Sequence, residues 1–140
     1  MGLEIRRAFP SDAGIIAPLN LRLIRDEGHR NPMGVAALRN RMKRWLRAEH
    51  RAVLIEADGR VVGYFLYRRE PEYWYVRHFF IDRTYRRLGL GRTAFRKIRR
   101  VYWKRPIRIR IEALALNRRG IQFWKALGFA PYALTMERCS

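Results

Sequence analysis

Residues 52–81 constrain this chain more than any other stretch. The runs Ala52 to Ala57 and Arg60 to Arg68 are rich in Val, Ile, Leu, Tyr and Phe, and Asp58-Gly59 joins them. That dipeptide between apolar runs is the strongest short signal for an antiparallel hairpin. After Glu70-Pro71-Glu72 a third apolar, aromatic run, Tyr73 to Ile81, reads as a long central strand continuing the meander.

The flanking segments supply helices and further strands. Leu3 to Phe9 alternates apolar and charged residues as a half-buried strand, ended by Pro10. Ser11 is expected to cap a helix with Ile16, Leu19 and Leu23 at helical spacing and Gly28 as its stop. A polar stretch leads to a second helix with the stripe Val35, Leu38, Met42, Trp45 and Leu46. Gly89 and Gly91 open a third, with Leu90, Ala94, Ile98, Val101 and Tyr102 inward and Arg92, Arg96, Lys97, Arg99 and Arg100 outward. Ile107, Ile109 and Ile111 alternate with charges as a strand, Asn117 caps a last helix through Leu127, and a final strand fits Ala133 to Arg138. This β-α-α-β-β-β-α-β-α-β order has no repeat, linker or composition shift, so residues 1–140 read as one mixed α/β domain.

Composition narrows the class. With 49% apolar residues the chain can build a core, which excludes a disordered or fibrous protein. No apolar run approaches the roughly 18 residues of a membrane span. Glu4, Arg6 and Arg7 stand where an export signal is apolar, so a soluble, cytoplasmic protein is expected. The lone Cys139 excludes an internal disulfide or a cysteine zinc site, and His29, His50 and His78 lack ligand-like spacing, so no metal is expected. The net charge is +19, and 27 of the 31 basic residues are Arg, which implies an anionic ligand or partner, or simply a strongly solvated surface.

The chemistry gathers at Arg86-Arg87-Leu88-Gly89-Leu90-Gly91, where a strand turns into a helix. Glycines there permit close backbone approach, and the free N–H groups of a helix's first turn attract phosphate. As a string the pair is weak. Gly89-x-Gly91-x-x-Ala94 also fits a dinucleotide fingerprint with Glu112 downstream, but the preceding antiparallel meander is the wrong context.

Three features in order carry a resemblance: Phe79-Phe80-Ile81-Asp82, the loop Arg86-x-x-Gly89-x-Gly91, and Asn117 through Phe123-Trp124-Lys125-Ala126-Leu127-Gly128-Phe129. Together they resemble the GCN5-related N-acetyltransferase (GNAT) superfamily over nearly the whole chain. The resemblance implies a single acyl-CoA N-acyltransferase domain with a mostly antiparallel sheet of six or seven strands, flanked by four helices and splayed between the fourth and fifth strands. It implies acetyl-CoA as co-substrate, with its pyrophosphate on Arg86, Arg87, Leu88, Gly89, Leu90, Gly91 and Arg92. The pantetheine arm would pair with the backbone of Phe79, Phe80 and Ile81, and Asn117 and Trp124 would lie at the thiol end. The acceptor amine would then attack the thioester directly.

An amine of pKa near 10.4 is deprotonated about once in 2,500 molecules at pH 7, so a base is required. The central-strand side chains in phase with Ile81, namely Phe79, Arg77, Tyr75 and Tyr73, include no good base. Candidates are Glu27, Asp26 and His29 after helix one, and Glu70 or Glu72, with Glu27 preferred; Asp26, His29, Tyr75 and Arg77 are the acceptor-binding candidates. His78, in phase with Phe80, is expected on the other sheet face. The family's usual general-acid Tyr is replaced by Trp124, whose indole cannot protonate a thiolate, so Tyr132, Tyr75 or water takes that role.

The acceptor is thus a small-molecule or protein amine. A polycation fits only if the acidic candidates gather into one pocket. Residues 83–110 hold twelve Arg or Lys and no acid, more than one cofactor can engage. They suit RNA, an acidic protein surface or water. The rival readings are a non-catalytic nucleic-acid binder on this fold and an acetyltransferase for RNA-bound or ribosomal substrates, either as monomer or homodimer.

Overall fold

The computed structural model describes residues 2–86, 88–104 and 107–140. Five strands form one sheet in chain order: β1 (Leu3–Ala8), β2 (His50–Ala57), β3 (Arg60–Arg69), β4 (Tyr73–Ile81) and β5 (Arg108–Ile111). The first four pair antiparallel, while β5 runs parallel to β4. The helices are α1 (Ala13–Glu27), α2 (Val35–Arg47), α3 (Arg83–Arg86), α4 (Leu90–Tyr102) and α5 (Arg118–Ala126).

The central strands are apolar on both sides because both faces are covered. Ala52, Leu54, Tyr64, Leu66 and Phe80 pack under α1 and α2, with Ile16, Leu19, Leu23 and Met42. Val53, Ile55, Phe65, Val76 and Ile81 pack under α4, with Leu90, Ala94, Phe95, Ile98 and Trp103. At the hairpin, Asp58 and Gly59 have φ of 53° and 73°, the left-handed pair that a tight antiparallel turn requires.

β4 carries a bulge. Leu66 pairs with His78 and Tyr67 with Val76, so Arg77 is an extra residue with no partner on β3. A bulge bends its strand and sharpens the twist. β5 pairs with β4 only from Tyr73 to Val76, and the ladder ends where the bulge begins. The end of β4 therefore has no strand on its outer side among the described residues, which is the opening expected between the fourth and fifth strands.

Several expectations need correction. The sheet has five strands rather than six or seven, because Ala133 to Arg138 form no strand: residues 130–140 are all exposed, with Leu134 and Met136 at 85% and 86%. An alternating pattern has no strand to form without a neighbour to satisfy its backbone. Among the described residues there are five α-helices rather than four, because Asp82 starts the extra turn α3: its carboxylate accepts the Thr84 N–H at 3.0 Å and its carbonyl those of Tyr85 and Arg86. Ser11 does not cap α1; a 3-10 turn at Pro10–Asp12 precedes it, and the Asp12 carboxylate accepts the Phe9 N–H at 2.8 Å. Val35 and Val101, expected inward, are 41% and 43% exposed. Arg87, expected at the pyrophosphate, lies outside the described residues.

Gly63 lies where β3 crosses close under the end of β4, and a Cβ there would strike the Phe80 carbonyl. Gly63→Ala is expected to cost about 1–3 kcal/mol in urea unfolding, whereas Gly2→Ala, in open space, stays within about 0.5 kcal/mol. His50, 2% exposed, accepts the Arg77 Nε–H on its Nε2 at 3.0 Å, which requires a neutral ring. Burial, then Arg77, push its pKa down to about 4. The unfolded imidazole titrates near 6.5, so this contribution is complete above that pH and is lost as pH falls toward about 4. Stability measured over that range is expected to fall, and less steeply in His50→Asn.

Candidate active site

The site forms where the C-terminal end of β4 meets the first turn of α4 and the end of α1. The Asp82 N–H donates to the Val62 carbonyl at 2.7 Å, which sets the backbone phase of β4. Phe80 therefore directs both backbone groups to β3, while those of Phe79 and Ile81 point into the opening. The Ile81 carbonyl already accepts the Arg86 Nε–H at 2.6 Å. This leaves the N–H and carbonyl of Phe79 and the N–H of Ile81 facing the gap. Phe80 is excluded from that role by its backbone and by its side chain, which is buried on the α1 face between the guanidinium groups of Arg22 and Arg86.

Beyond β4 the chain turns through α3 to Gly89, whose φ of 73° is a left-handed conformation that glycine adopts without strain. The first i→i−4 bond of α4 runs from the Thr93 N–H to the Gly89 carbonyl. Among the described residues no carbonyl accepts the N–H groups of Leu90, Gly91 and Arg92, which belong to the first turn and carry the positive end of the helix dipole. The N–H groups of Leu88 and Gly89 are engaged by the Tyr85 and Arg86 carbonyls. Gly91 serves packing: a Cβ there would sit 3.0 Å from the Phe123 ring of α5. Arg92 and Leu88 are exposed.

Two ion pairs bolt α1 to this corner. Arg22 donates through both Nη atoms to Asp82 Oδ2 at 2.7 Å, and Arg86 Nη2 reaches Asp26 Oδ2 at 2.6 Å. Arg86 is thereby committed to Ile81 and Asp26, so it shapes the loop and does not project from it. Asp26, expected in an acceptor pocket, is neutralised by Arg86 and by Arg83 at 3.5 Å.

One residue further on, Glu27 Oε1 accepts from His29 Nε2 at 2.8 Å. Burial raises the Glu27 carboxyl above its ordinary range; the His29 hydrogen bond and charge, and then Arg86, pull the other way. The pair borders a second one on β3 and β4: the hydroxyl of Tyr64, fully buried, lies 3.0 Å from His78 Nδ1. Burial first, then Arg41 and Arg77, push the His78 pKa down to about 3, so its ring is neutral near pH 7.

The bulge at Arg77 overturns the expected phase. Trp74, Val76, Phe79 and Ile81 share the α4 face, while Arg77, His78 and Phe80 face α1 and α2. Arg77 stacks 4.9 Å over Trp45, and the Tyr75 hydroxyl donates to Glu112 at 2.6 Å, so neither candidate projects freely. Burial, then Glu112, push the Tyr75 pKa up to about 12. Tyr132 lies 79% exposed under Arg110. Asn117 caps α5 by accepting the Gly120 N–H at 3.1 Å. Trp124 packs in an aromatic cluster with Phe79, Phe95 and Phe129 at centroid distances of 5.6, 6.0 and 5.1 Å.

Residue-by-residue reading missed Arg22, Tyr64 and Phe123. Only Phe123 had a signal, its helical spacing beside Trp124. Among the described residues no group of three or more His, Cys, Asp or Glu could hold a metal ion, and no helix is long and apolar enough to cross a membrane.

Known proteins share this fold. The chain superposes on a possible acetyltransferase from Clostridium difficile 630 with a TM-score of 0.81 at 19% identity, covering 99% of this chain and 97% of the other. A ribosomal-protein-alanine N-acetyltransferase from Brucella melitensis biovar Abortus 2308 matches with a TM-score of 0.78 at 16% identity, covering 99% and 100%. The aminoglycoside N-acetyltransferase AAC(6')-Iy, in complex with CoA, matches with a TM-score of 0.78 at 13% identity, covering 99% and 95%. At these identities the likeness is one of fold. No curated protein sequence matches the chain. The model of the acetyltransferase (GNAT) family matches residues 20–129, most of the chain, and this protein belongs to that family.

Proposed function

We propose that residues 1–140 act as a single N-acyltransferase domain that moves an acetyl group from acetyl-CoA to a primary amine by direct attack. The observation that carries this reading is that, among the described residues, the N–H and carbonyl of Phe79 and the N–H of Ile81 face no strand beside the first turn of α4. A strand edge and a helix N-terminus at one corner suit a ligand with amide groups at one end and a pyrophosphate at the other. Leu90, Gly91 and Arg92 would hold the pyrophosphate through their N–H groups, with the exposed Arg92 side chain adding charge. Leu88 and Gly89 shape the turn. Arg86 acts by fixing the loop to β4 and α1. Asn117 and Trp124 would form the wall at the acyl end through the start and packed face of α5.

Acetyl-CoA supplies an acyl group activated as a thioester. The chain's own task is to take the proton from the ammonium, and Glu27 is assigned that role: it is part-buried, raised in pKa and oriented by His29. Asp26 positions Arg86. Tyr75 and Arg77 are assigned to the acceptor-side wall, each held by its own partner. Tyr132 is the hydroxyl assigned to return a proton to the thiolate, its exposure leaving it free to move.

For the acceptor we favour an amine of low charge, on a small molecule or a protein. Two of the four acidic candidates are neutralised, Asp26 by Arg83 and Arg86 and Glu70 by Arg68, and Glu27 is hydrogen-bonded to His29. An acidic pocket suited to a polycation does not assemble from them. A protein amine, such as the ribosomal-protein alanine in the name of the Brucella enzyme, fits this charge better than an aminoglycoside.

Two measurements test the reading. Acetyl-CoA at ~100 times its dissociation constant should stabilise the protein by about 2.7 kcal/mol, roughly 8–12 °C in Tm, with no comparable shift from NAD; equal shifts would remove the cofactor assignment. Glu27→Gln should lower kcat/KM by about 10²–10⁴. In His29→Ala, burial of Glu27 is less opposed, so the rising limb of the pH profile should move to higher pH; an unmoved limb rules Glu27 out as the base.

A further inference from the structure

A groove of about 490 Å³ runs between the last turns of α4 and the end of α5, walled by Arg96, Arg99, Arg100 and Lys104 over a floor of Phe95 and Trp103. It lies away from the proposed pyrophosphate cradle. At 1.5 Å of rise per residue, Arg96 to Arg100 sit roughly 6–12 Å along the α4 axis from Arg92. We propose that this groove binds the phosphate backbone of single-stranded nucleic acid, independently of acyl transfer.

The charges in the groove are uncompensated. Among the described residues, acidic side chains pair with Arg6, Arg22, Arg30, Arg68, Arg83 and Arg86, and none reaches the four groove cations. Arg96 and Arg100 stand four residues apart on one helix face, where like charges repel. The negative end of the helix dipole favours cations in the last turn of α4, which accounts for Arg99 and Arg100. It does not account for Arg96 a turn earlier or for Lys104 beyond the helix end.

The lining also selects the kind of polyanion. Every polar side chain around the groove is a donor; it has no carboxylate, amide or hydroxyl. An acidic peptide would bring backbone N–H groups that find no side-chain acceptor there. A phosphodiester backbone brings acceptors alone, and guanidinium groups engage phosphate oxygens bidentately. A groove of about 490 Å³ between two helix ends has room for a stretch of one backbone strand and not for a duplex.

The test is the binding of a fluorescein-labelled 20-nucleotide oligouridylate, followed by anisotropy from 50 to 200 mM salt. Four phosphate contacts predict a log–log salt slope of about −3, since each contributes about 0.7 for a single strand. Arg99→Gln/Arg100→Gln should reduce the slope by about 1.4 and weaken binding at least tenfold at 150 mM salt. Arg39→Gln/Arg44→Gln, on α2 across the sheet, should change it less than twofold. Acetyl transfer to a small amine should be unchanged in the groove variant. Equal loss in both double variants would overturn the proposal in favour of general charge attraction. Equal competition by polyglutamate of the same length would replace nucleic acid with an acidic protein. Displacement of the oligonucleotide by CoA would assign the groove to the cofactor site.

Discussion

Because Arg77 is an extra residue of β4 opposite the single step from Leu66 to Tyr67 on β3, β4 changes the direction of its outer edge halfway along its length. Before the bulge that edge carries the parallel ladder to β5; after it, the backbone of Phe79 and Ile81 faces no strand. Unpaired backbone groups inside a fold are costly unless water or a ligand satisfies them. The geometry that ends the sheet is thus the geometry that makes a site. The same extra residue inverts the side-chain phase, placing Arg77 and His78 together on the α1 and α2 face and leaving Phe79 on the α4 face.

The corner is held from both faces. Arg22 and Asp26 of α1 grip Asp82 and Arg86, and Phe80 lies between the two guanidinium groups. Exposed ion pairs contribute little singly, typically less than about 1 kcal/mol. Here two converge on the four-residue turn that aims α4, so their effect falls on orientation more than on stability. On the other face, Gly91 lets Phe123 approach the first turn of α4, and Phe79 joins the aromatic cluster around Trp124. The opening is therefore backed by apolar rings on the α4 and α5 side, while the Glu27–His29 and Tyr64–His78 pairs belong to the α1 side of the sheet.

The strong positive charge divides into two populations. Near the site, Arg22, Arg83 and Arg86 are paired with carboxylates and act structurally. Along α4, Lys97 donates to the Leu3 carbonyl, while among the described residues Arg96, Arg99 and Arg100 have no carboxylate partner and remain available to an anion. Net charge alone could not separate these groups, because 31 bases and 12 acids are compatible with many pairings.

Much was legible in local chemistry. Asp58-Gly59 specified the hairpin, Gly28 the end of α1, Asn117 the cap of α5, and the glycine pair after a strand the anion-ready helix start, since each depends on a residue's own backbone preferences. The family followed from motifs spaced along the chain. What only the tertiary structure decided depends on distant partners. The register of β3 against β4 set the bulge, which no periodicity within β4 contains. The pairing of Arg86 with Asp26, 60 residues away, withdrew it from the expected phosphate contact. The final strand failed for the same reason: Ala133 to Arg138 have the alternation of a strand, but hydrogen bonding to a neighbour is a property of the fold, not of the segment.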